Sequence, residues 1–197
     1  MKKFPALIIA LLGASVFAQE NSRPFAGASL GLSYIEVYNG NADHNRYYRG
    51  KLPWELNLGY EFRLFKYFRP SLAFALAGGG WDWKVNGHSG STGYIYSAFD
   101  LDMNFHIMDD FLAGFGFLYG FPKLYTVKFD GIDYADELVK VDRLMTGLSW
   151  IIGYRISNHY RILLERQLSL VDAKPNLGQQ YFNFHENSLR LHFRYVF

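Results

Sequence analysis

The last nine residues of the chain alternate strictly between two kinds of side chain and end on a phenylalanine. Successive side chains of a β-strand point to opposite faces, so a strand over 189–197 carries two different surfaces. Arg190, His192 and Arg194 make one surface mostly cationic. The other surface is apolar and consists of Leu189, Leu191, Phe193, Tyr195 and Phe197. The pattern indicates a strand between lipid and a polar barrel interior, rather than a half-buried strand of a soluble sheet.

The N-terminal residues have the layout of an export signal. Lys2 and Lys3 precede an apolar stretch over 6–12, and Val16-Phe17-Ala18 offers small residues where a signal peptidase cleaves. We expect a cleaved signal peptide over 1–18 and one mature domain over 19–197. The chain has no cysteine, so we expect neither disulfides nor a lipid-anchored N-terminus.

The composition excludes several classes of protein. Hydrophobic residues make up 50% of the chain, yet the mean hydropathy is only -0.07, so apolar residues are interleaved with polar ones. No later segment reaches the roughly 20 apolar residues of a membrane-spanning helix. Aromatic residues reach 19%, and Tyr and Trp favour membrane interfaces. A net charge of +2 without a basic patch gives no reason to expect a nucleic-acid partner.

Alternation recurs in eight segments along the chain. They cover 26–38, 52–64, 72–83, 94–107, 111–121, 143–156, 160–171 and 189–197. The connections after the second, fourth and sixth segments are short, and the others are longer. This predicts an all-β fold, an eight-stranded antiparallel up-and-down transmembrane β-barrel with short periplasmic turns and longer external loops. Such a sheet must close, because an open edge in lipid leaves backbone groups unpaired.

Three local features refine this prediction. Gly78-Gly79-Gly80 predicts a bulge that turns Trp81 and Trp83 to the outer interface. Asp130-Gly131 predicts a hairpin within the long connection 122–142. Arg166 falls on the lipid face, where it costs about 2 to 4 kcal/mol at the midplane, so we expect it near an interface with its head group in water, the alternative being a bulge that turns it inward.

Charged residues at inward positions are balanced in sign. An eight-stranded barrel is just wide enough for its own side chains, so we predict an ion-pair network in the lumen, with a narrow gated pore as the alternative. The predicted network consists of Glu55, Glu61, Arg63, Asp100, Asp102, Arg143, Arg155, Glu165, Arg190 and Arg194.

The signal peptide, the eight-segment meander and the terminal strand resemble the small eight-stranded outer-membrane barrels, such as the OmpA transmembrane domain and OmpX. The resemblance implies a monomer in the bacterial outer membrane, in contact with outer-membrane lipids and lipopolysaccharide. It also implies that Leu189, Leu191, Phe193, Tyr195 and Phe197 act as a signal for the barrel assembly machinery.

The resemblance does not fix an activity, because this class holds adhesins, anchors, pores and lipid-modifying enzymes. We expect a non-enzymatic structural or surface-interaction role through the external loops, with the connection 122–142 as the contact surface for an external ligand. A narrow pore and a lipid A-modifying enzyme are the alternatives. The seventh segment carries Glu165 and Ser169 but lacks the histidine of the deacylase pattern.

The remaining polar residues give no catalytic, cofactor or metal site. We place His88 in a glycine-rich loop over 86–92 and His185 with Glu186 in another loop, while His106 and His192 are structural residues facing the lumen. The acidic residues of the longest loop lack the spacing of a calcium motif; they are Asp130, Asp133, Asp136 and Glu137. A soluble calycin-like barrel is a further alternative, and it would turn its apolar residues inward.

Overall fold

The computed structural model describes residues 22–39, 46–85, 88–133, 145–171 and 182–197. Strands are its regular elements: β1 (Ser22–Asn39), β2 (Arg46–Arg49), β3 (Trp54–Phe62), β4 (Ser71–Val85), β5 (His88–His106), β6 (Phe111–Phe129), β7 (Ile132–Asp133), β8 (Met145–Arg155), β9 (Tyr160–Val171) and β10 (Phe182–Val196). Within these ranges no helix is long and apolar enough to cross a membrane. The predicted signal peptide over 1–18 lies outside the described residues.

Eight long strands form a closed antiparallel barrel in the order β10-β9-β8-β6-β5-β4-β3-β1. The sheet closes because β10 also pairs with β1, from Phe25↔Val196 to Asn39↔Phe182. The short strands β2 and β7 pair with β1 and β6. The predicted all-β eight-stranded architecture is therefore confirmed, and the terminal strand is the one that completes the ring.

The barrel wall has an apolar outer face and a mixed inner face. In β8 every outward side chain from Leu148 to Tyr154 is exposed, while Ser149 and Ile151 are buried between them. Large apolar side chains on the other strands are likewise about half exposed. A soluble calycin-like barrel has the opposite arrangement, so that alternative is wrong.

The two ends of the barrel differ in the length of their connections. Turns over 63–70, 107–110 and 156–159 close one end. At the other end β5 and β6 continue to 19 residues each, well beyond the roughly ten that a tilted strand needs to cross a membrane. We call residues 82–85, 88–93 and 125–133 the protruding sheet. Its register is Asp82↔Ser91↔Lys128↔Asp133.

The extension corrects one predicted loop and extends the predicted hairpin. His88–Thr92 lies in β5 and not in a glycine-rich loop, since it pairs with β4 throughout and, from Gly90 onward, with β6. Residues 122–129 belong to β6, although they include Pro122, which has no N–H to donate. The ladder accommodates the proline by a register shift opposite Ile95 and Tyr96.

The glycine run of β4 does not shift the register. Gly78, Gly79 and Gly80 pair with Ile95, Tyr94 and Gly93 in sequence. Trp81 therefore keeps the phase of Ala73 to Ala77 and lies inside the barrel, only 8% exposed. The prediction that Trp81 reaches the outer interface is wrong, and the side chain of Trp83 lies outside the described residues.

The predicted hairpin at Asp130-Gly131 is confirmed. Asp130 has φ 45° and Gly131 has φ 86°, as a two-residue turn with a left-handed backbone at both positions requires. The N–H of Ser89 donates to Asp130 Oδ1 at 2.9 Å. The turn thereby joins the tip of β6 to β5 and to β7.

Candidate functional site

The lumen contains an ion pair between β3 and β9, which are not neighbours in the sheet. Arg161 donates from both terminal nitrogens to the two oxygens of Glu61, with an Nη2–Oε1 distance of 2.9 Å. The side chains are 3% and 4% exposed. Arg69, in the turn after β3, adds a second cation at 3.7 Å from Glu61. A guanidinium forks over a carboxylate in this way because the two planar groups match in geometry.

A second pair joins β10 to β5 across the lumen. Arg194 Nη2 donates to Asp102 Oδ2 at 3.1 Å, and the hydroxyl of Ser71 donates to the same oxygen at 3.0 Å. The guanidinium also lies 4.1 Å from the ring centre of Phe25, a cation–π contact. One oxygen of this carboxylate, Oδ2, is thus bonded by side chains from two other strands.

A third group surrounds Arg190, whose side chain is completely buried. It donates to Glu55 Oε2 at 2.9 Å and to the hydroxyl oxygen of Tyr96 at 3.2 Å. Nearby, the hydroxyl of Tyr94 donates to Glu186. On the neighbouring strands β9 and β10, Glu165 and His192 approach each other. Charged groups therefore link the walls at several levels of the lumen.

Toward the protruding sheet the lumen becomes apolar. We call its largest group of buried residues the lumen cluster; it consists of Ile35, Ala75, Ala77, Trp81, Tyr94, Tyr96, Ala98, Leu118 and Met145, with Tyr48 packed against it. Tyr94 and Tyr96 stack with their ring centres 6.0 Å apart. Their hydroxyls reach the charged groups, so these tyrosines join the apolar part of the interior to the polar part.

The structure places most of the predicted network inside the barrel. The buried members are Glu55, Glu61, Asp100, Asp102, Glu165, Arg190 and Arg194. Arg63 differs from the prediction, because β3 ends at Phe62 and the Arg63 side chain is exposed. Arg155 also differs, since it lies at the end of β8 and bonds Asp110 of the adjacent turn at 3.0 Å. Arg143 lies outside the described residues.

Two charged members of the interior were missed by the sequence analysis. Arg161 lies four residues before Glu165 in β9, and an even spacing in a strand places both side chains on the inward face. Glu186 follows in the same way from Arg190, but it was assigned to a loop. That assignment is wrong, because β10 begins at Phe182 and Glu186 is 1% exposed.

The outer wall carries the predicted assembly residues. All of them point away from the lumen and are exposed: Leu189, Leu191, Phe193, Tyr195 and Phe197. The N–H of Phe197 donates to the carbonyl of Pro24 at 2.9 Å, which ties the chain end to β1. Arg166 also points outward and is exposed, and its Nε donates to Asn187 Oδ1 at 3.4 Å.

The other polar candidates are dispersed. His106 and His192 are buried at inward positions, and His185 is half-buried on β10. Asp130 is exposed at the hairpin, whereas the side chains of His88 and Asp133, and all of Asp136 and Glu137, lie outside the described residues. Across the described ranges no group of histidines and carboxylates is arranged to hold a metal ion.

Solved structures show the same architecture. Neisserial surface protein A (NspA) is 12% identical, with 88% of this chain and 97% of that chain covered and a TM-score of 0.62. The outer membrane protein OprG from Pseudomonas aeruginosa is 13% identical over 90% and 96% of the two chains, with a TM-score of 0.50.

No family model matches the chain, and no curated protein matches it in sequence. The structural similarity supports the shared fold, and identities of this size carry no activity from those proteins to this one. The closed ring of antiparallel strands, the apolar outer wall and the filled, charged interior agree with the structural comparison. The chain thus has the fold of the small eight-stranded outer-membrane β-barrels.

Proposed function

We propose that the protein is a bacterial outer-membrane barrel with a non-enzymatic role in surface interaction, exercised through the protruding sheet. The observation that carries the proposal is the 19-residue length of both β5 and β6. Strands of this length continue beyond the apolar belt as an ordered sheet. A purely structural anchor needs only the membrane-spanning part of each strand.

We infer that the protruding sheet offers a strand edge to a partner. In the described part of the chain, pairing of β6 with β8 ends at Gly120↔Met145, and β7 covers only Lys128 and Phe129. Between these points β6 pairs with β5 on its other side. An extended peptide segment of a partner can add to such an edge through main-chain hydrogen bonds. We infer that the external ligand is a protein with an accessible extended segment.

The interior gives less support to a pore. Large buried side chains occupy the lumen at several levels, including Arg190, Tyr96, Ile35 and Met145. An eight-stranded barrel is narrow enough for such side chains to fill it. The lumen therefore serves to hold the walls together in this proposal, and its charged groups act as structural ion pairs.

The position of the β9 residues argues against a lipid-modifying enzyme. Glu165 and Ser169 are 6% and 1% exposed inside the lumen. A lipid substrate reaches the outer wall and the external rim, so it does not meet this carboxylate and this hydroxyl. The seventh segment also lacks the histidine of the deacylase pattern.

The test removes the part of the sheet that carries the edge. Cells producing a variant without residues 125–138 should lose binding to immobilised extracellular-matrix proteins that the intact protein binds. Heat-dependent gel mobility should show that the barrel still folds. Arg63→Ala, at the opposite end of the barrel, is the matched control and should bind normally.

Unchanged binding of the deletion variant to every ligand of the intact protein would overturn the proposal. The same strains separate the alternatives. Altered lipid A by mass spectrometry in cells with and without the protein would indicate an enzyme, and steady bilayer conductance would indicate a pore.

A further inference from the structure

The interior of the barrel holds more acidic than basic side chains. Arg63 follows the end of β3, Arg155 ends β8, and Glu186 lies inside, so the interior differs from the predicted balance of charge. Arg69, beside Glu61, is half-buried. With this arginine included, six carboxylates of the described residues face four guanidinium groups, which leaves two negative charges when the histidines are neutral. The fully buried members are Glu55, Glu61, Asp100, Asp102, Glu165 and Glu186, and Arg161, Arg190 and Arg194.

Asp100 is the buried carboxylate that lacks a basic partner. Each of the other five contacts an arginine, a histidine or a tyrosine. In the described ranges no side chain forms an ion pair with Asp100, although it is only 7% exposed. A buried carboxylate without a compensating positive charge is costly, so Asp100 requires a cation or a proton.

The Asp100 carboxylate faces a gap in the inner wall at Gly116 on β6. A side-chain carbon at Gly116 would lie 3.6 Å from Asp100 Oδ1, 2.8 Å from Asp102 Oδ1 and 2.4 Å from Ser149 Oγ. Asp102 and Ser149 are the register partners of Gly116 on its two neighbouring strands, β5 and β8. Any residue larger than glycine would therefore fill the space between these oxygens. We call Gly116, Asp100, Asp102 and Ser149 the oxygen notch.

Two oxygens of the notch lack a partner within the protein. Asp102 Oδ1 and Ser149 Oγ are buried and have no hydrogen-bond partner among the described residues. The other oxygen of Asp102 is held by Arg194 and Ser71. Glu165 lies near the Ser149 hydroxyl without meeting it in hydrogen-bond geometry. Because buried polar atoms are as a rule paired with protein, water or an ion, the notch is built to hold something between its oxygens.

We propose that the oxygen notch binds a calcium ion. Carboxylate, amide and hydroxyl oxygens are the ligands that Ca²⁺ takes, at about 2.3 to 2.6 Å and in flexible geometry, with water in the remaining positions. Asn104 supplies a further oxygen along the same groove, since its buried Oδ1 has no partner in the described ranges and lies 2.7 Å from the place of a side chain at Gly114. The inference does not depend on the role proposed for the protruding sheet.

The charge and the geometry of the notch select this ion. Two positive charges match the two negative charges that the arginines leave, whereas a sodium ion would match one of them. Magnesium requires a near-ideal octahedron and gives up its water reluctantly, and the positions of the oxygens are fixed by the strands. Two carboxylates with neutral oxygens also differ from a cluster of three or more histidines and acidic residues, which the described ranges lack.

Urea unfolding of the purified barrel in lipopolysaccharide-free detergent micelles tests the site. The barrel is refolded and measured in calcium, in magnesium and in sodium with a chelator, at one pH and one ionic strength. Refolding in each solution is needed because the notch is buried and the ion has to enter before the strands close. Calcium should raise the urea midpoint above the other two solutions, because a ligand that binds only the folded state stabilises it. Native mass spectrometry should show one calcium ion retained per chain.

Three variants separate ion binding from a structural role of the notch. Asp100→Asn keeps the shape, and it should lower calcium retention about tenfold or more and remove the calcium-dependent shift of the midpoint. In chelator it should be at least as stable as the intact protein, because it removes an uncompensated charge. Ser149→Ala should weaken retention to a smaller extent. Asp82→Asn changes a carboxylate of the protruding sheet that is 71% exposed, and this control should keep the full shift.

Equal midpoints of the intact protein in calcium and in chelator, with no ion retained, would overturn the proposal and indicate a proton on Asp100. An equal shift in magnesium would overturn the assignment to calcium. A calcium-dependent shift that persists in folded Asp100→Asn would place the ion elsewhere and overturn the assignment to the notch. If Asp100→Asn does not fold, Ser149→Ala decides in its place, and unchanged retention by that variant would overturn the notch.

Discussion

The lumen and the protruding sheet are held together by different interactions. In the lumen, ion pairs such as Glu61 with Arg161 join strands that are not neighbours, and their side chains are 3% to 4% exposed. In the protruding sheet the strands are joined by their backbone ladders. An ion pair at its base, between Lys51 and Asp82, has a similar length of 3.0 Å but side-chain exposures of 45% and 71%.

The burial of an ion pair, more than the distance between its charges, determines how much the pair contributes to the free energy of unfolding. Buried partners have given up their hydration, so removal of one leaves the other uncompensated in a poor solvent. When one partner of an exposed pair is removed, water solvates the other charge, so the free energy of unfolding changes little. Substitutions should therefore be costly in the lumen and cheap in the sheet. This leaves the external surface free to carry recognition while the interior keeps the barrel closed.

The largest expected effect comes from Arg161→Met. The substitution leaves Glu61 buried with only the more distant Arg69, and we expect a loss of about 3 kcal/mol or more in the free energy of unfolding. Urea unfolding of the folded barrel in detergent micelles, followed by tryptophan fluorescence and by gel mobility, measures the loss.

The matched control replaces both partners. Glu61→Leu with Arg161→Met removes the uncompensated charge, so the double variant should be more stable than Arg161→Met alone. If Arg161→Met unfolds at the same urea concentration as the intact protein, the buried pair does not stabilise the barrel. The proposed difference between buried and exposed ion pairs would then be wrong.

The second largest loss of stability is expected in the apolar part of the lumen. Trp81→Ala removes the largest side chain of the lumen cluster and should cost about 3 kcal/mol through lost burial and the cavity left behind. Urea unfolding in detergent micelles measures this loss. Trp150→Ala on the outer wall is the control and should lose less stability, because its side chain is 53% exposed. A Trp81→Ala barrel of full stability would count against the filled lumen.

Alternation alone predicted the fold and most of the inward residues, because one face of every strand meets a different solvent from the other. It did not predict which inward residues meet. Whether Arg190 reaches Glu55 depends on the stagger of strands around the closed barrel, and no single strand carries that information.

Several failures of the sequence analysis lie where alternation gives no signal, unlike Arg161 and Glu186, whose inward positions follow from it. Gly78 to Gly80 have no side chains that would show which face is apolar. The sequence alone therefore does not determine whether Trp81 points into the lumen or outward. Arg63 and Arg155 lie at strand ends, where the wall no longer separates two environments. In contrast, Asp130-Gly131 was predicted correctly, because its backbone conformation is a local property of two residues.

The smallest expected effect is that of Lys51→Ala. Both side chains of the Lys51–Asp82 pair are largely in water, so its loss should change the free energy of unfolding by less than about 0.5 kcal/mol. Asp82→Ala and the double variant should give the same result, with a coupling energy near zero at high ionic strength, because salt screens exposed charges. Urea unfolding at low and high salt measures this coupling. A coupling above about 1 kcal/mol would mean that the base of the protruding sheet is shielded from water, and the sheet would then depend on side-chain pairing as the lumen does.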